Sequence, residues 1–268
     1  MVLKTAIILA GGKGTRFEER TEDLPKPLIP VNEKPILERI IEWLVKSGVK
    51  RAVIGTAYKK EMIKNYFGNG EDFGIEITYT EHDENGGTED AFKTAIEQSG
   101  IEDENFYAMN GDQITNLSLE KFEKEHLKRN PLVTIATINL RTNFGVIHTD
   151  EDGKIREFKE KGEVPDKKMN AGIYIFNRGI KNFLSGGNIE ENAFRKLINE
   201  GKLHSFHHEG IWLTVNDKKE LKSAIVSRDK TRMLKLSDDI QDAEEEGYVL
   251  SEDEEDLFER MSTILERL

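Results

Sequence analysis

The stretch IILAGGKGTRF, from Ile7 to Phe17, decides how the chain is read. Ile7, Ile8, Leu9 and Ala10 run straight into Gly11-Gly12-Lys13-Gly14-Thr15-Arg16. A short, unbroken apolar run closed by glycines reads as a buried strand. A strand that opens onto a glycine turn ahead of a helix is where an α/β sheet gathers backbone N–H groups around an anion. Two common phosphate motifs do not fit. A P-loop needs Gly, four residues, then Gly-Lys-Ser/Thr, and here the fifth residue after Gly11 is Arg16; the dinucleotide fingerprint needs a third glycine where Phe17 stands.

Outward from that turn, strand and helix patterns alternate. Lys4–Ala10 is followed by a helix over Pro35–Gly48, with Ile36, Ile40, Leu44 and Val45 on one face, a proline suited to the first turn and a glycine at the stop. Arg51–Ala57 reads as a strand, Lys59–Gly68 as a helix, Ile75–Thr80 as a strand, Thr88–Ser99 as a helix, and Asn105–Asp112 as a strand ending in an acid. This order predicts a Rossmann-like three-layer α/β/α sandwich with a mixed, mostly parallel sheet. The second half is more mixed. Leu132–Asn139 and Asn170–Asn177 read as strands, Phe144–Lys161 as a hairpin turning at Asp152-Gly153, and Ile189–Gly201 as a helix. Composition shifts after Ser227. Residues 1–227 are expected to form the catalytic domain and 228–268 an acidic helical C-terminal tail, with Leu257, Met261, Ile264, Leu265 and Leu268 spaced for one face. That face suits either a helix docked on its own domain or a homo-oligomer contact.

Composition narrows the function. The 268 residues contain no cysteine, which excludes disulfides and zinc–thiolate sites. There is no apolar run of about 18 residues and no signal-peptide core, so a cytoplasmic protein with no membrane partner is expected. A net charge of −12 argues against nucleic-acid binding, and any phosphate site must be locally cationic.

Such a local cation stands in LPKPLIPV, Leu24 to Val31. Three prolines stiffen the backbone around Lys26 and would hold it in a preset position, where a lysine serves a phosphoryl group as a point charge. LAGGKGTRF followed by LPKPLIPV resembles the signature of the sugar-phosphate nucleotidyltransferases, enzymes that join a nucleoside triphosphate to a sugar 1-phosphate and release pyrophosphate. TEHDENGGTEDAFKTA resembles their base-reading segment, and MNGD the strand end that holds magnesium. FGVIHTDEDGKIREFKEK resembles the segment ending in a Glu-Lys pair, MNAGIYIF the sugar-binding strand, and GKLHSFHHEGIWLTVNDKKEL the closing segment. The resemblance covers roughly Val2 to Ala224.

It implies roles residue by residue. Leu9, Ala10, Gly11, Gly12, Gly14 and Thr15 would form the triphosphate turn, with Gly86, Gly87 and Thr88 beside the nucleoside. Arg16 would hold the leaving pyrophosphate and Lys26 the α-phosphate. Asp112 would bind Mg²⁺ (or Mn²⁺). Lys161 would pair with the sugar phosphate, Glu160 and Asn170 with sugar hydroxyls, and Gly145 would let the sugar approach. Glu81 is read from its chemistry: a carboxylate accepts guanine N1–H and N2–H₂ side by side, which tilts the base toward guanine. Three departures stand out. Thr214 occupies the place of the closing-motif aspartate that supplies a second metal ligand, leaving Asn216 or Asp217 as substitutes. Glu89 and Asp90 stand where the family has small residues near the nucleoside, or serve only to cap the following helix at its positive end. Glu160-Lys161 is followed by glycine instead of proline. Two alternatives stay open: a CTP-dependent enzyme for a non-sugar phosphate such as choline or inositol phosphate, and a non-catalytic homologue that senses nucleotide-sugars.

Overall fold

The computed structural model of the chain describes residues 3–12, 24–31 and 34–214, with the side chains at 143, 161–163 and 165–166 outside that description. In chain order the elements are β1 (Thr5–Leu9), β2 (Pro30–Val31), β3 (Lys34–Pro35), α1 (Ile36–Lys46), β4 (Arg51–Thr56), α2 (Lys60–Phe67), β5 (Glu76–Glu81), α3 (Thr88–Ser99), β6 (Asn105–Asn110), β7 (Gln113–Thr115), α4 (Leu119–Arg129), β8 (Val133–Thr149), β9 (Ile155–Asn177), α5 (Ala193–Asn199), β10 (Leu203–His207) and β11 (Trp212–Thr214). The main sheet runs β10-β8-β9-β6-β1-β4-β5. β1 is parallel to both β4 and β6, β4 to β5 and β8 to β10, while β9 is antiparallel to its neighbours β6 and β8.

The continuous apolar runs of β1, β4 and β6 follow from burial on both faces. Ala6 and Ile8 of β1 pack with Tyr107 and Met109 of β6 under Leu37, Ile41 and Leu44 of α1, Ile63 of α2 and Phe122 of α4. Ile7, Phe106 and Ala108 face the other way, onto Phe92 and Ala95 of α3 and Phe194 and Leu197 of α5. The result is the expected three-layer sandwich. The helical tail and its apolar face lie outside the described residues. Among the described residues no helix is long and apolar enough to cross a membrane.

The hairpin is longer than its sequence pattern implies. β8 and β9 run unbroken through both the core strands and the arm, and the chain reverses at Asp150–Lys154, where the Asp150 side chain accepts the N–H groups of Asp152 and Lys154 at 3.1 and 2.9 Å. Shifts of register at four points bend the ribbon, so the outer part leaves the sheet. Among the described residues the arm from Arg141 to Glu163 pairs only with itself, and Phe144, Ile147, Ile155 and Phe158 are 50–80% exposed.

Helix α4 was not signalled by apolar spacing, because Leu119, Phe122, Glu123 and His126 form its buried side. Ser118 caps it, its hydroxyl accepting the Lys121 N–H. His126 is fully buried between α4 and the sheet, with Nε2 3.0 Å from Asn105 Oδ1 and Nδ1 2.7 Å from Thr134 Oγ1. Asn105 Oδ1 can only accept, so Nε2 carries a proton, and in the neutral ring Nδ1 accepts from the Thr134 hydroxyl. Burial pushes its pKa from 6.5 down to about 4. Because the folded pKa lies below the unfolded one, the unfolded chain binds more protons between those values and stability falls with acidification. Between pH 6.5 and about 4 the loss is expected at up to about 1.4 kcal/mol per pH unit. Melting temperatures of the wild type and of His126→Gln across this range check it; an equal slope in both would remove His126 as the cause.

Candidate active site

In open α/β sheets ligands gather beyond the carboxyl ends of the strands where strand order reverses. Here that point lies between β1 and β6, because the chain goes from β1 out to β4 and β5, then returns to β6 on the other side. A cavity of about 310 Å³ opens there. Its wall brings together Leu9 to Gly12 after β1, Lys26, Asn110 to Asp112 after β6, and His82, Glu84 and Gly86 to Thr88 between β5 and α3. Four segments far apart in sequence thus meet at one place. Gly11 is glycine for a steric reason: a Cβ there would run into the His82 ring and the Ala57 side chain.

Lys26 reaches the cavity because the residues around it are anchored. Pro25 holds an extended conformation, Lys26–Leu28 make one 3₁₀ turn, and the Leu28 and Ile29 N–H groups close it on Pro25 and Lys26 carbonyls at 2.9 and 3.1 Å. Leu28, Ile29 and Val31 are buried in the core below. From this base the Lys26 ammonium donates to Asp112 Oδ2 at 2.6 Å, with the two side chains only 12% and 26% exposed. The phosphate lysine and the metal aspartate expected from sequence therefore touch.

Glu81, read from sequence as a base contact, lies beside the cavity and not in its wall. Its carboxylate accepts from Lys60 at 2.6 Å and Lys64 at 2.9 Å, both on α2. The Lys60 contact first, then Lys64, holds its pKa down at about 2. Adjacent residues at a strand end face opposite ways, so the next residue, His82, takes the cavity side. Burial lowers the His82 pKa, opposed by Asp83, and its Nδ1 is buried without a protein hydrogen-bond partner among the described residues. His82 and Glu84 are wall residues that the sequence reading missed. Glu89 and Asp90 sit in the first turn of α3, where Asp90 reaches back to the N–H of the capping residue Gly87, and their carboxylates accept the Gly186 and Gly187 N–H groups.

The sugar-side residues form a second group, outside that cavity. Gly145 and Glu160 face each other across the arm, and a Cβ on Gly145 would lie 3.0 Å from Glu160 Oε2. Asn170 is fixed at both ends of its amide, donating to the Tyr174 hydroxyl at 2.9 Å and accepting the Gly172 N–H at 2.8 Å. Burial raises the Tyr174 pKa, opposed by the hydrogen bond from Asn170 and assisted by the Glu190 and Asp112 carboxylates. Lys161 lies in β9, with its side chain outside the description. Gly14, Thr15, Arg16, Asn216 and Asp217 lie outside the described residues. Thr214 pairs with Gln113, the residue after Asp112, so the segment read from sequence as the closing motif arrives beside Asp112.

Residues 5–226 match the nucleotidyl transferase family. The chain belongs to that family. It is 32% identical over 215 residues to the D-glycero-alpha-D-manno-heptose 1-phosphate guanylyltransferase of Aneurinibacillus thermoaerophilus, covering 78% of this chain and 92% of the relative. It is also 32% identical over 215 residues to the UTP–glucose-1-phosphate uridylyltransferase of Synechocystis, but there the match covers 73% of this chain and 55% of the relative. The crystal structure of HddC from Yersinia pseudotuberculosis superposes with a TM-score of 0.67 at 25% identity, over 83% of this chain and 98% of HddC. These curated relatives are sugar-1-phosphate nucleotidyltransferases, and the choline- or inositol-phosphate alternative is not favoured.

Proposed function

We propose that this nucleotidyl transferase joins a nucleoside triphosphate to a sugar 1-phosphate, giving a nucleoside-diphosphate sugar and pyrophosphate. The contact between Lys26 and Asp112 at the mouth of the glycine-turn cavity carries the reading. A sensor of nucleotide-sugars needs no cation aimed at the strand-end acid, whereas phosphoryl chemistry does.

A sugar-phosphate oxygen is already an anionic nucleophile. It attacks the α-phosphorus, the bond to the β-phosphate oxygen breaks, and pyrophosphate departs with that electron pair. Proton transfer is not required, so catalysis rests on alignment and charge neutralisation. The backbone of Gly11 and Gly12 cradles the phosphates. Lys26 moves from Asp112 to the α-phosphate and offsets the charge that builds there. Arg16 steadies the pyrophosphate, and Glu160, Lys161 and Asn170 hold the sugar 1-phosphate. Among the described residues no group of three or more His, Cys, Asp or Glu could hold a metal. A single carboxylate fits Mg²⁺ or Mn²⁺ bound mainly through substrate phosphates. Held by Asp112, with Asn216 or Asp217 as a second ligand, such a cation would neutralise phosphate charge.

Base choice falls to His82, Glu84 and the backbone of Gly86-Gly87 instead of Glu81. The guanylyltransferase relative matched over 92% of its length makes GTP the first triphosphate to test. Pyrophosphate release measured across GTP, UTP, CTP, ATP and dTTP, each with mannose, glucose and heptose 1-phosphates, tests the activity; silence in every pair would sink it. Glu81→Gln is expected to leave the ranking of triphosphates unchanged, with ratios of kcat/KM moving less than about twofold. A solvent-screened ion pair of this kind contributes little and does not reach the base. A tenfold change in ranking would return Glu81 to the binding site. The oligomer contact proposed for residues 257–268 is tested by the mass of the full chain in solution.

A further inference from the structure

Glu89 is the second residue of α3 and is fully buried. A buried carboxylate is costly unless its oxygens are satisfied. Oε1 accepts the Ser185 N–H, the Ser185 hydroxyl at 3.1 Å and the Gly186 N–H at 2.8 Å, and Oε2 accepts the Ala193 N–H at 3.1 Å. The start of α3 adds the favourable end of a helix dipole. All four donors belong to one loop, Ser185 to Ala193, more than ninety residues further along the chain.

This loop braces the nucleotide wall. Gly86, Gly87 and Thr88 line the cavity immediately ahead of Glu89, and two consecutive glycines have no side chains with which to hold themselves in place. A Cβ on Gly87 would collide with the Gly187 carbonyl, so turn and loop are in direct contact. The Glu89 N–H donates to Gly187 O at 2.8 Å, Gly187 N–H donates to Asp90 Oδ2 at 2.8 Å, and Ile189 N–H donates to Thr88 Oγ1 at 3.1 Å. Glu89 is the buried member of this set and the one that spans the loop from Ser185 to Ala193.

We infer that Glu89 is a positioning residue for nucleotide binding: its carboxylate ties the Gly86–Thr88 wall to the Ser185–Ala193 loop and so fixes the backbone the nucleoside meets. The inference rests on the nucleotide reading of the cavity. In Glu89→Gln the amide turns an acceptor into a donor against groups that also donate. With the full chain, KM for the preferred triphosphate, and its Kd by calorimetry, are expected to rise about tenfold. Turnover should change less than about threefold, and KM for the sugar 1-phosphate should stay put. Ser185→Ala, which deletes the hydroxyl's bond to Glu89 and the one it accepts from Lys196, and Gly187→Ala, which strains the loop at a φ of +89°, should shift the same two constants in the same direction. These two keep the test open if Glu89→Gln does not fold. A purely structural role would lower melting temperature and active fraction while leaving triphosphate Kd untouched, and that result overturns the inference. A wild type that binds none of GTP, UTP, CTP, ATP and dTTP overturns the nucleotide reading itself, which is a different failure.

Discussion

Lys26→Ala is expected to lower turnover by about 10²–10³, the cost of removing one fixed group from a site where charge develops. The loss should fall on kcat more than on triphosphate KM, because the charge at the α-phosphorus is greatest in the transition state. The loop should keep its fold, since Leu28, Ile29 and Val31 hold it, and melting temperature reads the separate cost of leaving the largely buried Asp112 carboxylate without its lysine. Turnover within threefold of wild type would remove Lys26 from the mechanism. Arginine should rescue poorly: the charge survives, but a wider planar fork replaces a compact ammonium.

Asp112→Asn is expected to raise the metal concentration needed for half-maximal activity and to cut turnover at fixed metal by about 10². The amide is nearly isosteric, so folding is spared while the charge for a divalent cation is lost. Thr214→Ala should cost no more than a few-fold, although Thr214 is aligned with Gln113 next door, because a hydroxyl is a poor ligand for a hard cation beside a carboxylate. Titrating Mg²⁺ and Mn²⁺ against both variants ranks the two positions. If Thr214→Ala is the worse of the pair, the closing segment is doing what Asp112 is credited with; full activity in a chelator would end the metal role altogether.

Sheet and cavity were legible because each rests on local chemistry. The runs in β1, β4 and β6 are apolar on both faces, and that alone puts them in the middle of a covered sheet. The prolines around Lys26 fix a backbone, and a fixed backbone is what lets a lysine be assigned a target. What stayed hidden is directional or distant. Glu81 and His82 are neighbours in sequence on opposite sides of a strand end, so a reading one position off exchanges a cavity residue for a surface ion pair. Helix α4 escaped because a histidine and a glutamate occupy its inner face. Glu89 gave no sign of its partners, since three of its four donors are backbone groups almost a hundred residues away, and backbone donors leave no trace in composition.

The arm formed by β8 and β9 also bears on what two molecules present to one another. A two-stranded ribbon is marginal by itself in water, and this one shows Phe144 and Phe158 to solvent. Between two such chains a short-range apolar attraction opposes the long-range repulsion of a net charge of −12. Salt acts on the second and leaves the first largely alone, since the Debye length shrinks from about 30 Å at 0.01 M to about 8 Å at 0.15 M. Light scattering is therefore expected to show chains held apart in dilute buffer and drawn together as salt is added; no change with salt would mean that the arms do not attract.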